Sequence, residues 1–332
     1  MERLRLGVLG CSNHYALRIA APLKSSLLVE PYAVASRDEA RARKYAKTTG
    51  FSKAYGSYES LLADTDVDFV YIPLPNHLHL EYIKKAADAG KPVICEKPIC
   101  LNANEAAEAA AYCQSKNVSL MEAFMYRFHP QWIRAKEIVS IGELGELLTV
   151  HGHFSYMNKD ANNIRNKADI GGGALYDIGC YTVSSARYLF GREPLRVVCT
   201  LTRDSAFKTD VLVSGILDFG EGKTSTFSVS TQMCPCQRVT AIGTGGNLSI
   251  EVPFNMYPDV PGNVTISVGI GQRVIKTEIA DQYLQEFDAF AESLIQKAET
   301  PTPVSDAIAN MAVLDALFKS AGSGAWEAVQ KY

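Results

Sequence analysis

Short apolar strands alternate with helical segments over the first third of this chain, and no other feature constrains the fold as strongly. The apolar runs are residues 4–9, 30–36, 68–72, 92–95 and 118–121. Amphipathic stretches separate them, and one of these begins at Asp38 and ends near Gly50. Strands that alternate with helices at this spacing predict a doubly wound parallel sheet.

The rest of the chain has a different pattern. A strand over 147–157 and a helix over 173–190 are followed by seven strand-like segments between residues 195 and 279. Strands in series without intervening helices predict an antiparallel or mixed open sheet. Two amphipathic helices, near 283–297 and 306–321, end the chain, and we expect the domain boundary near 121–127.

Composition excludes several classes of protein. The 332 residues suit two domains, and the 47% hydrophobic and 21% charged fractions are those of a globular protein. A net charge of −3 gives no reason to expect nucleic acid or an anionic membrane as a partner. We expect no signal peptide and no apolar run near the ~20 residues of a membrane span. Eight scattered cysteines favour reduced thiols and a cytoplasmic location.

The turn after the first strand is the first candidate for cofactor binding. A dinucleotide turn reads G-x-G-x-x-G/A, and it brings backbone N–H groups close to a pyrophosphate. Gly10 supplies the first glycine, Cys11 follows it, and Ser12 takes the second glycine position. Ala16 takes the third position only if one residue is inserted. The spacing alone is nearly as consistent with a plain strand-to-helix turn.

Ser36 and Arg37 end the second strand. NAD-specific sites place an acidic residue there for the ribose 2′-hydroxyl, whereas arginine suits a 2′-phosphate. The pair therefore favours NADP, with NAD as the alternative because Asp38 follows directly. Ser36 as a helix N-cap and Arg37 as a solvated side chain are the structural alternative for the same two residues.

The segment after the third strand lies where open α/β sheets bind ligands. We assign Leu74, Asn76 and His79 to cofactor binding there, although Asn76 would also serve as a helix N-cap. His77 and His79 do not share a helix face, and His151 and His153 lack a further ligand nearby. We therefore predict no metal site.

Two further stretches carry candidate proton donors. Glu96 and Lys97 end the fourth strand; Glu96 is positioned to pair with the lysine or contact a ribose hydroxyl. Asp177 and Tyr181 are four residues apart, behind the triple glycine 171–173, and share a helix face. A solvated lysine and a tyrosine packed in the core are the ordinary alternatives. Lys97 lies at a strand end and Tyr181 lies behind the glycines, so we favour a role in proton transfer for both residues over those alternatives.

Taken together, these stretches resemble the glucose–fructose oxidoreductase / inositol dehydrogenase (Gfo/Idh/MocA) family. The specific carriers are A-G-K-P-V-I-C-E-K-P at 89–98 and G-G-G-A-L-Y-D-I-G-C-Y at 171–181. Gly10-Cys11, P-N-H-L-H at 75–79 and E-A-F-M-Y-R-F-H-P at 122–130 add to them. The resemblance covers essentially the whole chain. The tyrosine at 181, where inositol-type members carry histidine, is similar to the dihydrodiol dehydrogenase, xylose dehydrogenase and sugar ketoreductase branch.

The resemblance implies an α/β Rossmann domain over 1–123 and an α+β domain over 124–332. The second domain would contain a large open, mainly antiparallel sheet through which members form homodimers or homotetramers, and the last helices could return to the first domain. The resemblance also implies that Lys97 and Tyr181 face the substrate beside the nicotinamide, with Asp177 nearby, in the cleft between the domains. Arg127 and Arg165 match positions close to the cofactor.

The expected activity is reversible hydride transfer between NADP(H) and a sugar or sugar-like carbonyl. Tyr181 would exchange a proton with the substrate oxygen, Lys97 would stabilise negative charge there, and Asp177 would orient the sugar. Segments 156–167 and 233–237 are expected to be the loops that choose the substrate. Two alternatives stay open: a redox-neutral, glycosidase-like enzyme that holds its cofactor tightly, and a non-enzymatic dinucleotide sensor that binds a partner protein.

Overall fold

The first sheet is six-stranded and wholly parallel. The computed structural model describes residues 3–332. The strands are β1 Leu4–Leu9, β2 Val29–Ala35, β3 Lys53–Tyr55, β4 Phe69–Ile72, β5 Val93–Glu96 and β6 Leu120–Ala123. Their order is β3-β2-β1-β4-β5-β6, which reverses between β1 and β4. Ligands of open α/β sheets bind at such a reversal, outside the carboxyl ends of the strands.

The second sheet has nine strands and is mixed. They are β7 Leu147–Met157, β8 Arg196–Arg203, β9 Asp210–Gly220, β10 Lys223–Ser230, β11 Gln232–Gly243, β12 Asn247–Ile250, β13 Asn263–Val268, β14 Gly271–Lys276 and β15 Glu327–Ala328. The order is β14-β13-β12-β11-β7-β10-β9-β8-β15. The β7–β10 pair is parallel, and the other pairs recorded for this sheet are antiparallel. The predicted fold class, a Rossmann sheet followed by a mainly antiparallel sheet, is confirmed.

Helices complete both halves. They are α1 Ala20–Leu23, α2 Glu39–Thr49, α3 Tyr58–Leu62, α4 His79–Asp88, α5 Ala103–Ser115, α6 Pro130–Ser140, α7 Cys180–Phe190, α8 Gln282–Gln296 and α9 Val304–Ser323. Single π-helical turns lie at Tyr15–Ile19, after the Gly10–Ser12 turn, and at Leu175–Gly179, which contains Asp177. The helix predicted over 173–190 is therefore interrupted by a π turn before α7.

Polar side chains cap the starts of α2 and α5, whereas Asn76 does not cap the 3₁₀ turn that it begins. Asp38 accepts a hydrogen bond from the Arg41 N–H at the start of α2, and Gly50 ends that helix in the left-handed region at φ +93°. Asn102 accepts from the Glu105 N–H at 2.8 Å at the start of α5. Side-chain caps satisfy N–H groups that a helix start leaves unpaired, and glycine adopts positive φ without strain.

The chain divides into two compact units, one comprising the residues up to Met125 with Tyr283–Ile308, the other Tyr126–Gln282 with Ala309–Tyr332. In the first unit, α8 packs on the parallel sheet. The Phe287 ring lies 5.2 Å from that of Tyr71, and the Phe290 ring lies 5.7 Å from that of Phe69. These rings are buried, so α8 is part of the hydrophobic core of the first unit.

One of the two expectations about loops is wrong, because residues 233–237 lie in β11. Of the segment 156–167, only Tyr156 and Met157 lie in β7, and residues 158–167 follow that strand outside the sheet. Across residues 3–332 no helix has the length and apolar character needed to cross a membrane. The same residues contain no group of three His, Cys, Asp or Glu side chains placed to hold a metal ion.

Candidate active site

The turn after β1 holds a glycine and a serine in a dinucleotide-type arrangement. Gly10 has φ +120°, and a Cβ built there would lie 3.1 Å from the Leu74 side chain, so both conformation and space favour glycine. The Ser12 hydroxyl accepts from the His14 N–H at 3.1 Å. A π turn, Tyr15–Ile19, follows, and the Ala16 N–H donates to the Ser12 carbonyl at 3.2 Å.

The end of β2 offers the predicted serine and two arginines. Ser36 is largely buried, and its hydroxyl accepts from the Asp38 N–H at 3.3 Å. Arg37 is exposed beside it. Arg41, four residues on, donates through Nη2 to the Cys11 carbonyl at 3.3 Å, so its guanidinium lies against the Gly10–Ser12 turn. Two guanidinium groups near one turn suit an anionic ligand.

The segment after β4 places its three predicted residues differently. Leu74 packs against Gly10, and Asn76 begins a single 3₁₀ turn, Asn76–Leu78. His79 is fully buried, and its ring bridges the carbonyl oxygens of Leu74 at 2.8 Å and Pro98 at 3.0 Å. The prediction that His79 binds the cofactor is therefore wrong, because its ring is occupied in joining two backbone segments. Burial lowers the pKa of His79, and the two carbonyl contacts oppose that shift.

Lys97 is half-buried on a loop that buried side chains hold from both sides. The carbonyl of the next residue, Pro98, contacts the His79 ring, and the Ile99 N–H donates to the buried Glu122 carboxylate at 2.8 Å. Before the lysine, Glu96 accepts from the Tyr71 hydroxyl at 2.5 Å. The backbone that carries Lys97 is thus fixed by polar contacts rather than by a helix or strand.

In the second unit, an aromatic wall surrounds the Tyr181 ring; we use this name for Tyr126, Phe154 and Phe254. The Tyr181 ring centroid lies 5.1 Å from Phe254, 5.9 Å from Phe154 and 6.0 Å from Tyr126. All four rings are buried. Close aromatic packing in tilted and edge-on arrangements fixes the direction in which the tyrosine hydroxyl points.

Arg127 lies beside this wall. Its Nη2 donates to the Ser184 hydroxyl at 2.8 Å, and its Nε donates to the Tyr126 hydroxyl at 3.3 Å. Its guanidinium carbon lies 5.4 Å from the Tyr188 ring centroid. Ser184 and Tyr188 belong to α7, the helix that carries Tyr181. The structure therefore connects Arg127 to the Tyr181 helix through a hydroxyl and a ring.

Asp177 accepts two hydrogen bonds from charged and phenolic donors. Arg165 Nε lies 2.9 Å from its Oδ1, and the Tyr156 hydroxyl lies 2.5 Å from its Oδ2. Burial raises the pKa of Tyr156, and the Asp177 carboxylate raises it further. Tyr156 therefore stays protonated and donates to the carboxylate. The structure brings together Arg165 and Asp177, which the sequence had placed in different roles.

The triple glycine lets two other segments approach the start of the Tyr181 helix. A Cβ on Gly172 would lie 2.6 Å from the Arg165 carbonyl oxygen, and a Cβ on Gly173 would lie 2.1 Å from Asp210 Oδ1. Asp210 Oδ2 accepts from the Leu175 N–H at 2.6 Å, which caps the π turn. These glycines therefore make room for protein neighbours that position Asp177.

Comparison with known proteins agrees with this arrangement. A family model described as "Oxidoreductase family, NAD-binding Rossmann fold" matches residues 4–124, and the GFO/IDH/MocA C-terminal domain model matches 132–249. The chain belongs to the GFO/IDH/MocA oxidoreductase family. A D-xylose 1-dehydrogenase (NADP(+)) from Haloferax volcanii is 39% identical over 97% of this chain and 98% of that protein. A trans-1,2-dihydrobenzene-1,2-diol dehydrogenase from Xenopus laevis is 34% identical over 68% of this chain and 67% of that protein.

Among solved structures, a 3-ketoreductase from Actinomadura kijaniata in complex with NADP and TDP-benzene superposes with a TM-score of 0.91. It is 28% identical, and the match covers 96% of this chain and 98% of that one. Variants of that enzyme with one tyrosine or one lysine replaced also match. The predicted family, its NAD(P)-dependent oxidoreductase activity and its nicotinamide cofactor are confirmed.

Three residues near the candidate site had no role in the sequence reasoning: Arg41, Glu122 and Asp210. Arg41 had a signal, since it lies in the first turn of the helix that begins just after Arg37. Tyr156 was expected only as part of the substrate-selecting segment 156–167, and its contact with Asp177 was not predicted. Nothing local marks Asp210, which reaches the Tyr181 helix from a strand 35 residues away.

Proposed function

We propose that this protein transfers a hydride between NADP(H) and a sugar or sugar-like carbonyl or alcohol, using Tyr181, Lys97 and Asp177. The observation that carries the proposal is the fixed position of Tyr181. The aromatic wall packs around its ring, and Asp177, one turn earlier, accepts hydrogen bonds from Arg165 and Tyr156. Proton transfer to an oxygen needs a donor fixed in this way. The names of the xylose dehydrogenase and 3-ketoreductase relatives support the sugar and NADP assignments.

The residues of the first unit fit a dinucleotide phosphate. The Gly10 turn lies at the carboxyl end of β1, beside the reversal of strand order, and Arg37 and Arg41 lie next to it. When bound, the cofactor supplies or accepts the hydride. Gly10, Cys11 and Ser12 would contact the pyrophosphate through their backbone, and Ser36, Arg37 and Arg41 would hold the 2′-phosphate. Leu74, Asn76, Glu96, Lys97, Arg127 and Arg165 remain proposed cofactor contacts.

In the direction of reduction, Tyr181 gives its phenolic proton to the carbonyl oxygen while the carbonyl carbon gains the hydride, so the product is an alcohol. Lys97 stabilises the negative charge that develops on that oxygen. Asp177 accepts a hydrogen bond from a substrate hydroxyl. Oxidation runs through the same groups in reverse, with Tyr181 returning as the proton acceptor.

A substrate panel tests the reaction. Aldoses, polyols, keto-sugars and aromatic dihydrodiols are offered with NADP or NADPH while the nicotinamide absorbance is followed. We expect net NADPH formation or consumption with at least one sugar, a 10²- to 10⁴-fold loss in Tyr181→Phe, and retained NADPH binding. Tyr176→Phe is the matched control, since its ring packs on Phe318, 4.9 Å away, in the same unit.

Each other outcome of the panel decides between functions. Unchanged turnover in Tyr181→Phe would remove the tyrosine from the mechanism. Product formed without any net absorbance change would favour a redox-neutral enzyme. Cofactor binding without turnover of any substrate would favour a dinucleotide sensor.

Cofactor preference has its own test. Arg37→Ala and Arg41→Ala should each reduce the preference for NADPH over NADH about tenfold, since a charged hydrogen bond is worth about 1.5–3 kcal/mol. Arg43→Ala is the control, because Arg43 is exposed on the same helix and pairs with Glu39. If wild type and both variants showed the same preference for NADPH over NADH, the 2′-phosphate would have to be held by other residues.

We also propose a homodimer or homotetramer formed through the second sheet. The face of β7 away from α7 carries the exposed His151, and Ile216 of β9 lies two strands further at the same level, 38% exposed. An exposed apolar residue on a sheet face suits a self-complementary contact. Ile216→Arg should lower the mass of the oligomer measured by light scattering. An unchanged mass would mean that the interface lies on another surface. The cytoplasmic location stays a prediction from the sequence.

A further inference from the structure

The side-chain amide of Gln237 is fixed by the backbone that carries Phe254. Gln237 Oε1 accepts from the Phe254 N–H at 3.0 Å and from the Asn255 N–H at 3.2 Å. Only the oxygen of an amide accepts hydrogen bonds from N–H groups, so these two contacts decide which end of the amide is which. Because the amide group is planar, its nitrogen lies on the side away from the Phe254 backbone. The direction of Gln237 Nε2 is therefore set by the fold.

Gln237 lies on the same sheet face as the aromatic wall. It is paired with Phe154 across β11 and β7, and residues directly opposite each other in an antiparallel pair share one face of the sheet. The Phe154 ring packs 5.9 Å from the Tyr181 ring and 5.3 Å from the Phe254 ring. The glutamine is thus a direct neighbour of two rings that contact Tyr181, of one across the strands and of the other through its backbone.

Burial along this face of β11 decreases toward Gln237. Val239 and Ala241, the next residues on the same face, are fully buried, whereas Gln237 is partly exposed. Within the described residues 3–332, Gln237 Nε2 has no hydrogen-bond acceptor, and it is not among the buried atoms that lack a partner. Two N–H donors of fixed direction are therefore accessible at the open end of the face that carries the aromatic wall.

Gln282 holds the same backbone in the opposite way. Its Nε2 donates to the Phe254 carbonyl at 2.9 Å, and its side chain is buried. Support of the Phe254 backbone therefore uses the nitrogen of Gln282 and the oxygen of Gln237. A carboxylate at position 237 would supply the oxygen equally well, but it would have no N–H to donate. The amide nitrogen of Gln237 takes no part in supporting the backbone.

We propose that Gln237 is a substrate-binding residue, which donates from Nε2 to an oxygen of the substrate that lies outside the reacting group. The inference rests on the proposed function and deepens it. An uncharged amide donor suits a neutral acceptor, such as a ring oxygen or a hydroxyl. The substrate is therefore a carbonyl or alcohol that carries at least one further oxygen atom. Gln237 ends the segment 233–237 that the sequence predicted to choose the substrate, and it acts there from a strand.

Unfolding experiments first separate the oxygen of Gln237 from its nitrogen. Gln237→Glu keeps an acceptor for the Phe254 and Asn255 N–H groups, so its midpoint in urea should match that of wild type. Gln282→Glu loses the donor to the Phe254 carbonyl, so its midpoint should fall by about 1 M. Gln272→Glu, on the exposed strand β14, is the control for an added carboxylate on the same sheet. An equal fall in Gln237→Glu would make the whole amide a support and overturn the proposal.

Binding of the panel compounds is then measured by calorimetry in pairs that cannot exchange a hydride. Keto-sugars are offered with NADP, and polyols and dihydrodiols are offered with NADPH. Gln237→Glu should bind the tightest compound about tenfold more weakly than wild type, because a carboxylate faces an oxygen that needs a donor. Gln272→Glu should bind it as wild type does, and NADPH alone should bind equally well to all three proteins. Equal affinity of wild type and Gln237→Glu for the tightest compound would overturn the proposal.

Monodeoxy analogues of the tightest compound identify the oxygen that Gln237 holds. Wild type should bind one analogue about tenfold more weakly than the parent, whereas Gln237→Glu should bind both within about twofold. A partly unfolded variant would not lose this ratio, since it weakens every compound alike. Equal discrimination by both proteins at every position would show that Gln237 only supports the fold. If compounds bound but none reacted, the proposed function would fail while these affinities still decided the role of Gln237; binding of none would overturn both.

Discussion

The loop that carries Lys97 and the helix that carries Tyr181 are fixed in different ways. Lys97 lies between residues whose peptide groups are held by single polar contacts, from His79 on one side and Glu122 on the other. Tyr181 lies in a helix that packs against aromatic rings, and the glycines before this helix allow Arg165 and Asp210 to approach its start. A loop has no periodic hydrogen bonds of its own, so buried side chains must supply them, whereas a helix needs only packing to set its direction.

This difference predicts how each region fails. Removing a polar contact beside Lys97 should lower turnover at a modest cost in stability. Removing a ring beside Tyr181 should cost more stability, because a cavity costs transfer free energy and packing together. Three substitutions test this contrast, and a fourth tests a pH dependence of the second unit; they follow in order of decreasing effect.

Lys97→Met should have the largest effect, a 10²- to 10⁴-fold loss of kcat with the melting temperature nearly unchanged. Methionine keeps the length of the half-buried stem and removes only the charge. Steady-state kinetics and thermal unfolding together check this outcome. Lys91→Met is the control, because Lys91 Nζ donates to the Val67 carbonyl at 2.5 Å within the same unit. Wild-type turnover in Lys97→Met would exclude the lysine from the reaction.

Phe254→Ala should destabilise the protein by about 3–5 kcal/mol, since this fully buried ring contacts Tyr181, Tyr126 and Phe154. Urea unfolding measures the loss. Phe254→Leu should cost less, because it fills part of the cavity. A loss below 1 kcal/mol in the alanine variant would mean that the wall does not hold the Tyr181 ring.

His129 gives the second region a pH dependence. Burial lowers its pKa from 6.5 to about 4. Between those values the unfolded chain binds a proton that the folded chain does not, so stability falls as the pH falls from about 6.5 to about 4, by roughly 3 kcal/mol in total. His129→Asn keeps an acceptor for the Gln131 N–H at the start of α6 and removes the titration. Its unfolding free energy should vary less between pH 7 and pH 4.5; identical slopes would contradict this account.

His79→Phe tests the polar support of the loop. The ring size is kept and both carbonyl contacts are lost, so we expect a cost of about 1–3 kcal/mol and roughly a tenfold fall in kcat. NADPH binding should stay unchanged, because the ring does not reach the cofactor. His77→Phe, on the exposed side of the same turn, is the control. A large loss of NADPH affinity in His79→Phe alone would restore the original cofactor assignment.

The sequence predicted the parallel sheet, most strand positions and the two ends of α2, because these follow from short-range periodicity and local hydrogen bonds. It missed β3, a three-residue strand with too little apolar length to stand out. It also missed the two π turns, which are single five-residue turns at the starts of longer helical segments.

Within the candidate site, motif spacing found the residues that end strands or share a helix turn, such as Lys97, Asp177 and Tyr181. It assigned His79 wrongly because a histidine beside a ligand and a histidine that joins two carbonyls look alike in sequence. Asp210 and Tyr156 meet Gly173 and Asp177 only through tertiary packing. Contacts across 21 to 37 residues leave no periodic trace.

Strand β7 is synthesised before either of the two strands that pair with it. Its residue His151 pairs with Thr226 of β10 and with Thr240 of β11, both made at least 75 residues later. Closing a connection of that length is entropically costly, and folding dominated by such pairings is slow. The strand that supports both Tyr181 and Asp177 therefore emerges from the ribosome as an unpaired edge. The active centre can become rigid only once β10 and β11, which themselves carry none of the proposed catalytic residues, have been made.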